Sequence, residues 1–318
     1  IRRKMKQEET KVYRKIVKTC YNLQVVNYEA KENPQRLVSL SEKIYHNQIN
    51  QIVDNIINGH YKVIYIAGPS SAGKTTSSNL ISAALKKNGI KSLVISTDDF
   101  FLDREKTPRL PDGSYDYDNV TAMDAKYYNK FISQLINTGS AEMPIFDFME
   151  GRRMKYQQVH SKTEDVVIIE GIHALNPIFV KNIKNAKNYK IYVTLNGDFV
   201  LGRELLIPSR ILRLMRRCIR DYFKRGYNIN DTVKIWKNVC RSEHEFISPY
   251  KQEADFVLDT THIYEPLLYD YYLKPLLVNA CENEYIQDFE NIFSKIGSLK
   301  KDIIPSNSLL WEFLIKDN

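Results

Sequence analysis

The sequence has little cysteine and no long apolar run, and these absences exclude several classes of protein. The four cysteines among 318 residues lie far apart, at positions 20, 218, 240 and 281. No two of them have the spacing of a metal or redox motif, so we expect reduced, buried thiols of a cytoplasmic protein. No apolar stretch approaches the roughly 18 residues that cross a membrane. Repeats and low-complexity tracts are absent as well. The remaining class is a globular, cytoplasmic protein without a membrane segment.

Positive charge is concentrated in two places. Lys and Arg number 46 against 38 Asp and Glu, a formal net charge of +8. One cluster lies in residues 1–20, where a solvated helix face or a linker is favoured over nucleic-acid binding. The other lies in residues 210–225, where concentrated charge of one sign indicates an anionic ligand.

Short apolar runs alternate with helical patterns along most of the chain. The runs, at residues 62–67, 92–96, 165–169, 190–194 and 256–258, are typical of buried strands. Their alternation with helices predicts an α/β fold, a three-layer sandwich in which helices cover both faces of a mostly parallel sheet. Helices are predicted at 7–20, 39–58 and from 264 onward, with a linker at 27–36. The aperiodic segment 102–121 is long enough to indicate a functional loop.

A phosphate-binding motif follows the first of these strands. The sequence Gly68-Pro-Ser-Ser-Ala-Gly73-Lys74-Thr75 fits the pattern G-x-x-x-x-G-K-[ST] between a strand and a helix. Its glycines let backbone N–H groups surround a triphosphate, and the helix N-terminus adds further N–H groups and a favourable dipole. Lys74 is expected to reach the β- and γ-phosphates, and the Thr75 hydroxyl to bind Mg²⁺. The residues expected to line the phosphates are Gly68, Ser70, Ser71, Ala72, Gly73, Lys74, Thr75 and Thr76.

Three carboxylates lie at the ends of predicted strands, where ligands of open α/β sheets bind. Asp98 is the candidate general base for an attacking hydroxyl, whereas Asp99 is better explained as a cap of the next turn. Glu170 ends an apolar strand and is expected to orient Mg²⁺ through water. A solvated strand-end glutamate is the simpler alternative for Glu170.

Residues 209–226 predict a helix with an almost unpaired row of basic side chains. Arg213, Arg217, Arg220 and Lys224 form one stripe, and the segment contains a single acid, Asp221. Such a row indicates a lid that closes over phosphates, although a plain surface helix stays the alternative.

These segments together resemble the uridine kinase and phosphoribulokinase family of P-loop kinases. The matching pieces are residues 68–75, 96–101, 115–118, 144–148 with Arg153, 166–173, and 216–221 with 225–226, in the family's order over about 60–270. The segments 103–109, 241–250, 253–255 and 304–309 resemble a branch that carries modules similar to the N-terminal part of threonyl-tRNA synthetase. Because the chain begins at Ile1 rather than Met, the resemblance implies that those modules are missing here.

The resemblance also implies domains and roles. Residues 1–58 would be a helical connector, 59–282 a P-loop kinase domain with a lid at 208–228, and 283–318 a helical tail. Asp98 would be the catalytic base of an ATP- and Mg²⁺-dependent kinase, with Lys74 and Arg220 acting on the transferred phosphate. Thr75 and Glu170 would hold the metal. The contacts to nucleoside or phosphate would come from Asp118, Phe146, Arg153, Arg217, Arg225 and Tyr227.

Three positions depart from the nucleoside kinases of that family. Phe146 stands where they have a base-contacting Tyr, Gly151 where they have a His, and Tyr227 where they have the second Arg of the lid motif. The expected function is phosphorylation of a ribonucleoside 5′-hydroxyl, with a sugar or another small hydroxylated metabolite as the alternative acceptor. A regulatory or RNA-associated ATP-binding module is the alternative of another class. The oligomeric state is left open.

Overall fold

The computed structural model describes residues 18–110, 113–162, 165–180 and 186–316. Its strands are β1 (Thr19–Asn22), β2 (Val63–Ala67), β3 (Ser92–Ser96), β4 (Ser140–Asp147), β5 (Arg152–His160), β6 (Val166–Glu170), β7 (Asn188–Thr194), β8 (Gly197–Leu201), β9 (Glu204–Ile207) and β10 (Phe256–Asp259). Its α-helices are α1 (Leu23–Glu32), α2 (Pro34–Gly59), α3 (Lys74–Lys87), α4 (Ala125–Thr138), α5 (Ser209–Arg225), α6 (Ile229–Ser242), α7 (Glu265–Tyr272) and α8 (Glu284–Lys295). In this part of the chain no helix has the length and apolarity needed to cross a membrane.

A five-stranded parallel sheet forms the centre, in the order β10–β7–β2–β6–β3. All five strands coincide with predicted apolar runs, so the α/β prediction is confirmed. Successive side chains of a strand point to opposite faces. In β2, Ile64 and Ile66 enter one apolar cluster while Val63 and Tyr65 enter the other. Both faces of the sheet are therefore buried, which explains why its strands are apolar throughout.

The prediction for the N-terminal part was wrong in several places. Most of the helix predicted at 7–20 lies outside the described residues, and its end, Thr19–Cys20, belongs to β1. The predicted linker at 27–36 is instead helical, because Pro34 occupies the first turn of α2, where a missing N–H costs nothing. The helix predicted at 39–58 is confirmed and is longer.

Two smaller sheets were not predicted. Strands β4 and β5 form an antiparallel hairpin, and β8 pairs with both β1 and β9. The thiols are free as expected, but only Cys218 and Cys240 are buried, whereas Cys20 and Cys281 are exposed. The helical character predicted beyond residue 264 is confirmed by α7, α8 and several 3₁₀ turns.

Candidate active site

The loop between β2 and α3 has the backbone shape that its glycines predict. A Cβ on Gly68 would lie 2.1 Å from the carbonyl oxygen of Val193 on the neighbouring strand, so only glycine fits there. Ser71 and Gly73 both adopt left-handed φ angles, +61° and +89°. Left-handed residues turn successive N–H groups inward and make a concave anion site. Helix α3 then begins at Lys74, with no side-chain cap from Gly73.

Lys74 lies in a buried neighbourhood with two carboxylates. Its ammonium donates to the carbonyl of Pro69 at 3.1 Å, within the loop itself. Burial lowers the pKa of Lys74, and the charges of Glu170 and Asp98 oppose that shift. Burial likewise raises the pKa of Asp98, against the opposing effect of Lys74, Arg225 and Arg220. The structure thus brings Lys74, Asp98, Glu170 and Arg220 within electrostatic reach of one another.

Thr75 and Glu170 offer oxygen atoms that suit a magnesium ion. The Thr75 hydroxyl donates to Glu170 at 3.4 Å, and Thr75 is exposed while Glu170 is buried. Burial and the nearby Asp98 carboxylate raise the pKa of Glu170. Within the described ranges, no group of three or more His, Cys, Asp or Glu residues is placed to hold a metal. Mg²⁺ needs only one or two protein ligands when phosphates and water supply the rest, so this pair fits it.

The two adjacent aspartates after β3 lie in different surroundings. The Asp99 carboxylate accepts a hydrogen bond from the Phe146 N–H at 3.3 Å and so ties this turn to β4. The expected turn-capping is done by Ser96, whose hydroxyl accepts from the Asp98 N–H at 3.3 Å. The carboxylate of Asp98 is left to face Lys74 and the arginines.

Helix α5 carries the basic stripe onto the phosphate loop. Arg213 donates to the Ser70 carbonyl at 3.3 Å, and Arg217 and Arg220 donate to the Ser70 hydroxyl at 3.0 and 3.4 Å. The row is less unpaired than the sequence suggests, because Asp221 forms ion pairs with Arg217, Arg220 and Arg225. Burial lowers the pKa of Arg220 to about 10. Three guanidinium groups sharing one carboxylate still leave excess positive charge beside the loop.

Arg216 differs from its neighbours because it is fully buried. Its guanidinium forms a two-point ion pair with Glu265, at 2.5 and 2.7 Å, and donates to the Thr260 carbonyl. Arg216 therefore fixes α5 to α7 rather than serving a ligand.

The predicted acceptor side lies around Asp118 and the β4–β5 hairpin. Burial raises the pKa of Asp118, and the charge of Arg217 opposes it, so these two side chains lie near each other. Phe146 is buried against Phe101 and Phe148. Arg153 donates to the Phe101 carbonyl and to Asp124, which assigns at least part of its guanidinium to the scaffold.

Arg104 fills the space beside Gly151. A Cβ on Gly151 would lie 2.5 Å from the Arg104 Nε, and Gly151 has a left-handed φ of +69°. The Arg104 guanidinium donates to the carbonyls of Phe148 and Met149 at 3.0 and 2.9 Å, and to the Tyr117 hydroxyl at 3.3 Å. Tyr227, half exposed, lies close enough to act electrostatically on Arg104. The sequence did not single out Arg104, whose role depends on a partner 47 residues away.

Two further residues at the site were missed by sequence analysis. His173 is buried beside the backbone of Asp118, and burial lowers its pKa to about 4. Glu312 comes from the C-terminal segment, and its carboxylate accepts from the Thr76 N–H at 3.0 Å. Neither residue belongs to a pattern that reveals its place, although His173 lies within the segment 166–173 noted above.

Comparison with known proteins finds a matching family and several similar proteins. A sequence model of the "Phosphoribulokinase / Uridine kinase family" matches residues 63–263. A uridine kinase of Bacillus subtilis is 31% identical over 197 residues, which cover 62% of this chain and 84% of that protein. A uridine kinase of Mycoplasma genitalium is 29% identical over the same shares of the two chains. A solved structure of a possible uridine kinase from Bacillus stearothermophilus has a TM-score of 0.47 and 18% identity, covering 67% of this chain and 98% of that one.

The family match spans more than half of the chain and contains the phosphate loop, the strand-end carboxylates and the arginine helix. The protein therefore belongs to the phosphoribulokinase and uridine kinase family and is an ATP-dependent kinase of a hydroxyl group.

Proposed function

We propose that this kinase transfers the γ-phosphoryl group of Mg²⁺-bound ATP to the 5′-hydroxyl of a ribonucleoside, with uridine and cytidine as the expected acceptors. The observation that carries the proposal is the meeting of Lys74, Asp98, Glu170 and Arg220 in one buried neighbourhood. The naming of similar proteins as uridine kinases supports the choice of acceptor.

Phosphoryl transfer depends mainly on positioning and on stabilising the charge of the transferred group. Lys74 and Arg220 would both neutralise the phosphates, Lys74 from the start of α3 and Arg220 from α5. Thr75 and Glu170 would hold Mg²⁺, which when bound supplies further charge neutralisation. Arg217 and Arg225 would add to the positive field, because their shared partner Asp221 offsets only part of their charge.

Asp98 would accept the proton of the attacking hydroxyl. Burial raises the pKa of Asp98, and the positive charges of Lys74, Arg225 and Arg220 oppose that shift and favour the carboxylate. The ionised carboxylate is the state that a general base requires. Asp118 would accept hydrogen bonds from the ribose hydroxyls, since a carboxylate is the strongest acceptor for two neighbouring donors. Phe146 and Tyr227 would flank the base, and Arg153 would support the hairpin that carries Phe146.

The surroundings of Gly151 bear on the choice of acceptor. Because Arg104 fills the space beside Gly151, the base would meet a donor-only guanidinium. The nucleoside kinases have a histidine at the position of Gly151, so this surrounding of the base differs from theirs. A small hydroxylated metabolite other than a nucleoside is therefore the second candidate.

A panel of acceptors tests both candidates. Purified protein with Mg²⁺ and ATP is expected to release ADP with uridine or cytidine and not with hexoses or small hydroxy acids. The variant Asp118→Asn should raise the KM for the ribonucleoside about tenfold or more, because hydrogen bonds to a charged group are worth about 1.5–3 kcal/mol, and should leave the KM for ATP unchanged. Asp103→Asn, in the same loop and half exposed, is the matched control. Turnover with a sugar alone, or an unchanged acceptor KM in Asp118→Asn, would contradict the proposal.

A further inference from the structure

The C-terminal segment of the described chain lies against the phosphate loop. Leu309 packs on Gly73, so that a Cβ added to this glycine would lie 2.7 Å from a Leu309 methyl carbon. The side chains of Leu309, Leu310, Phe313 and Leu314 are buried. Residues 309–314 are therefore fixed beside the loop by apolar contacts on both sides of Trp311 and Glu312.

Glu312 uses that position to contact the loop's helix. Its carboxylate accepts from the N–H of Thr76, the third residue of α3, at 3.0 Å. The first N–H groups of a helix have no partner within the helix, and the first backbone bond of α3 runs only from Ser77 to Gly73. In a loop of this type, these are the N–H groups that face the phosphates of a nucleotide.

The arginine helix α5 also holds this segment. The Lys224 ammonium donates to the carbonyls of Trp311 and Glu312, at 2.7 and 2.9 Å. The guanidinium of Arg216 lies 4.7 Å from the centre of the Phe313 ring. The backbone of Glu312 is thus fixed, and its side chain, which belongs to a partly buried residue, is the part that can turn away.

The charge of Glu312 also reaches the catalytic groups. It acts on Lys74, where burial lowers the pKa and Glu312 is among the carboxylates that oppose the shift. A triphosphate arriving at the loop would meet this carboxylate as a like charge.

We propose that Glu312 is an internal competitor for the phosphate-binding amides, so that ATP binds only after displacing its carboxylate from the Thr76 N–H. The inference rests on the proposed binding of ATP phosphates at this loop. The flanking apolar contacts keep the segment docked while the side chain turns away. Glu312 therefore lowers the affinity for ATP by a constant factor but does not prevent ATP from binding.

Calorimetric titration of the full chain with ATP and with inorganic tripolyphosphate tests this inference. Glu312→Gln is expected to bind both ligands about tenfold more tightly than the wild type. The reason is that a neutral amide oxygen is a weaker hydrogen-bond acceptor for the Thr76 N–H than a carboxylate is. In Glu312→Asp the shorter side chain draws the carboxylate away from the Thr76 N–H. The affinity of this variant for both ligands is expected to lie between those of the wild type and Glu312→Gln. Glu290→Gln, an exposed glutamate of α8, removes the same charge elsewhere and is expected to change nothing.

Each other outcome overturns the inference in a distinguishable way. Unchanged or weaker binding of tripolyphosphate by Glu312→Gln, with normal binding by the wild type, would show that Glu312 does not compete with phosphate. If Glu312→Gln gains affinity for ATP but not for tripolyphosphate, the effect lies on the nucleoside part of the ligand, and this result would overturn the inference as well. If neither protein binds either triphosphate, the proposed function fails together with it.

Discussion

Replacing Asp98 by Asn separates chemistry from nucleotide binding more cleanly than any other substitution in this site. Asn keeps the shape of the side chain but cannot take a proton. A positioned general base contributes about 10²–10⁴ in rate, or roughly 3–5 kcal/mol of transition-state stabilisation. We therefore expect kcat to fall by about that factor.

Nucleotide binding should behave differently in the same variant. Asp98 lies among Lys74, Arg220 and Arg225, which would carry the phosphates. Removing its negative charge leaves those cations uncompensated, so ATP should bind with equal or greater affinity. ADP release measured with a ribonucleoside acceptor, together with calorimetric titration of ATP, gives the two quantities.

Asp99→Asn is the matched control for this experiment. Asp99 accepts from the Phe146 N–H, and the carbonyl oxygen of Asn would accept the same bond. Its kcat should change less than tenfold. Normal turnover by Asp98→Asn, or an equal loss in Asp99→Asn, would refute the assignment of the base.

Two further predictions concern stability. Glu265→Gln leaves the fully buried Arg216 without its charged partner, and chemical denaturation should show a loss of about 3–5 kcal/mol in the free energy of unfolding. Exposed Glu282→Gln should lose less than about 0.5 kcal/mol, and a loss below about 1 kcal/mol for Glu265→Gln would contradict the reasoning. Burial lowers the pKa of His173 from its ordinary value of 6.5 to about 4. The unfolded chain therefore takes up a proton that the folded protein does not, and the free energy of unfolding falls as pH drops from about 6.5 toward 4. Between pH 7 and pH 5 the wild type should lose about 2 kcal/mol more than His173→Asn in urea titrations, whereas equal losses would show that His173 is not the group responsible.

The central sheet was predictable because each of its strands is locally distinctive. Burial on both faces demands a continuous apolar run, and a window of five residues reveals it. The β4–β5 hairpin was not predicted because β5 is largely exposed and mixes basic and polar side chains without clear alternation. Helix α1 and the start of α2 were missed because Asn33 and Pro34 resemble a loop, although both are normal at a helix boundary.

The site was predictable to the extent that its residues belong to contiguous motifs. Asp98 and Glu170 lie at or just after strand ends, whereas Lys74 and Thr75 belong to the phosphate loop that follows β2. The sheet brings such ends together. Glu312 meets Thr76 across 236 positions of the chain, and Arg104 meets Gly151 across 47. No local periodicity encodes contacts of that kind, since they arise from how distant segments pack.

A single apolar cluster extends from Leu23, in the first helix, to Leu314 near the end of the described chain. Glu42 of α2 accepts from the Tyr264 hydroxyl at 2.6 Å, which joins the first helices to the turn that precedes α7. The described residues on either side of the family match are thus packed into the same core, and they should unfold cooperatively with it. A fragment trimmed to residues 63–263 would leave one face of this cluster bare to water, so truncation is a poor route to a minimal catalytic domain.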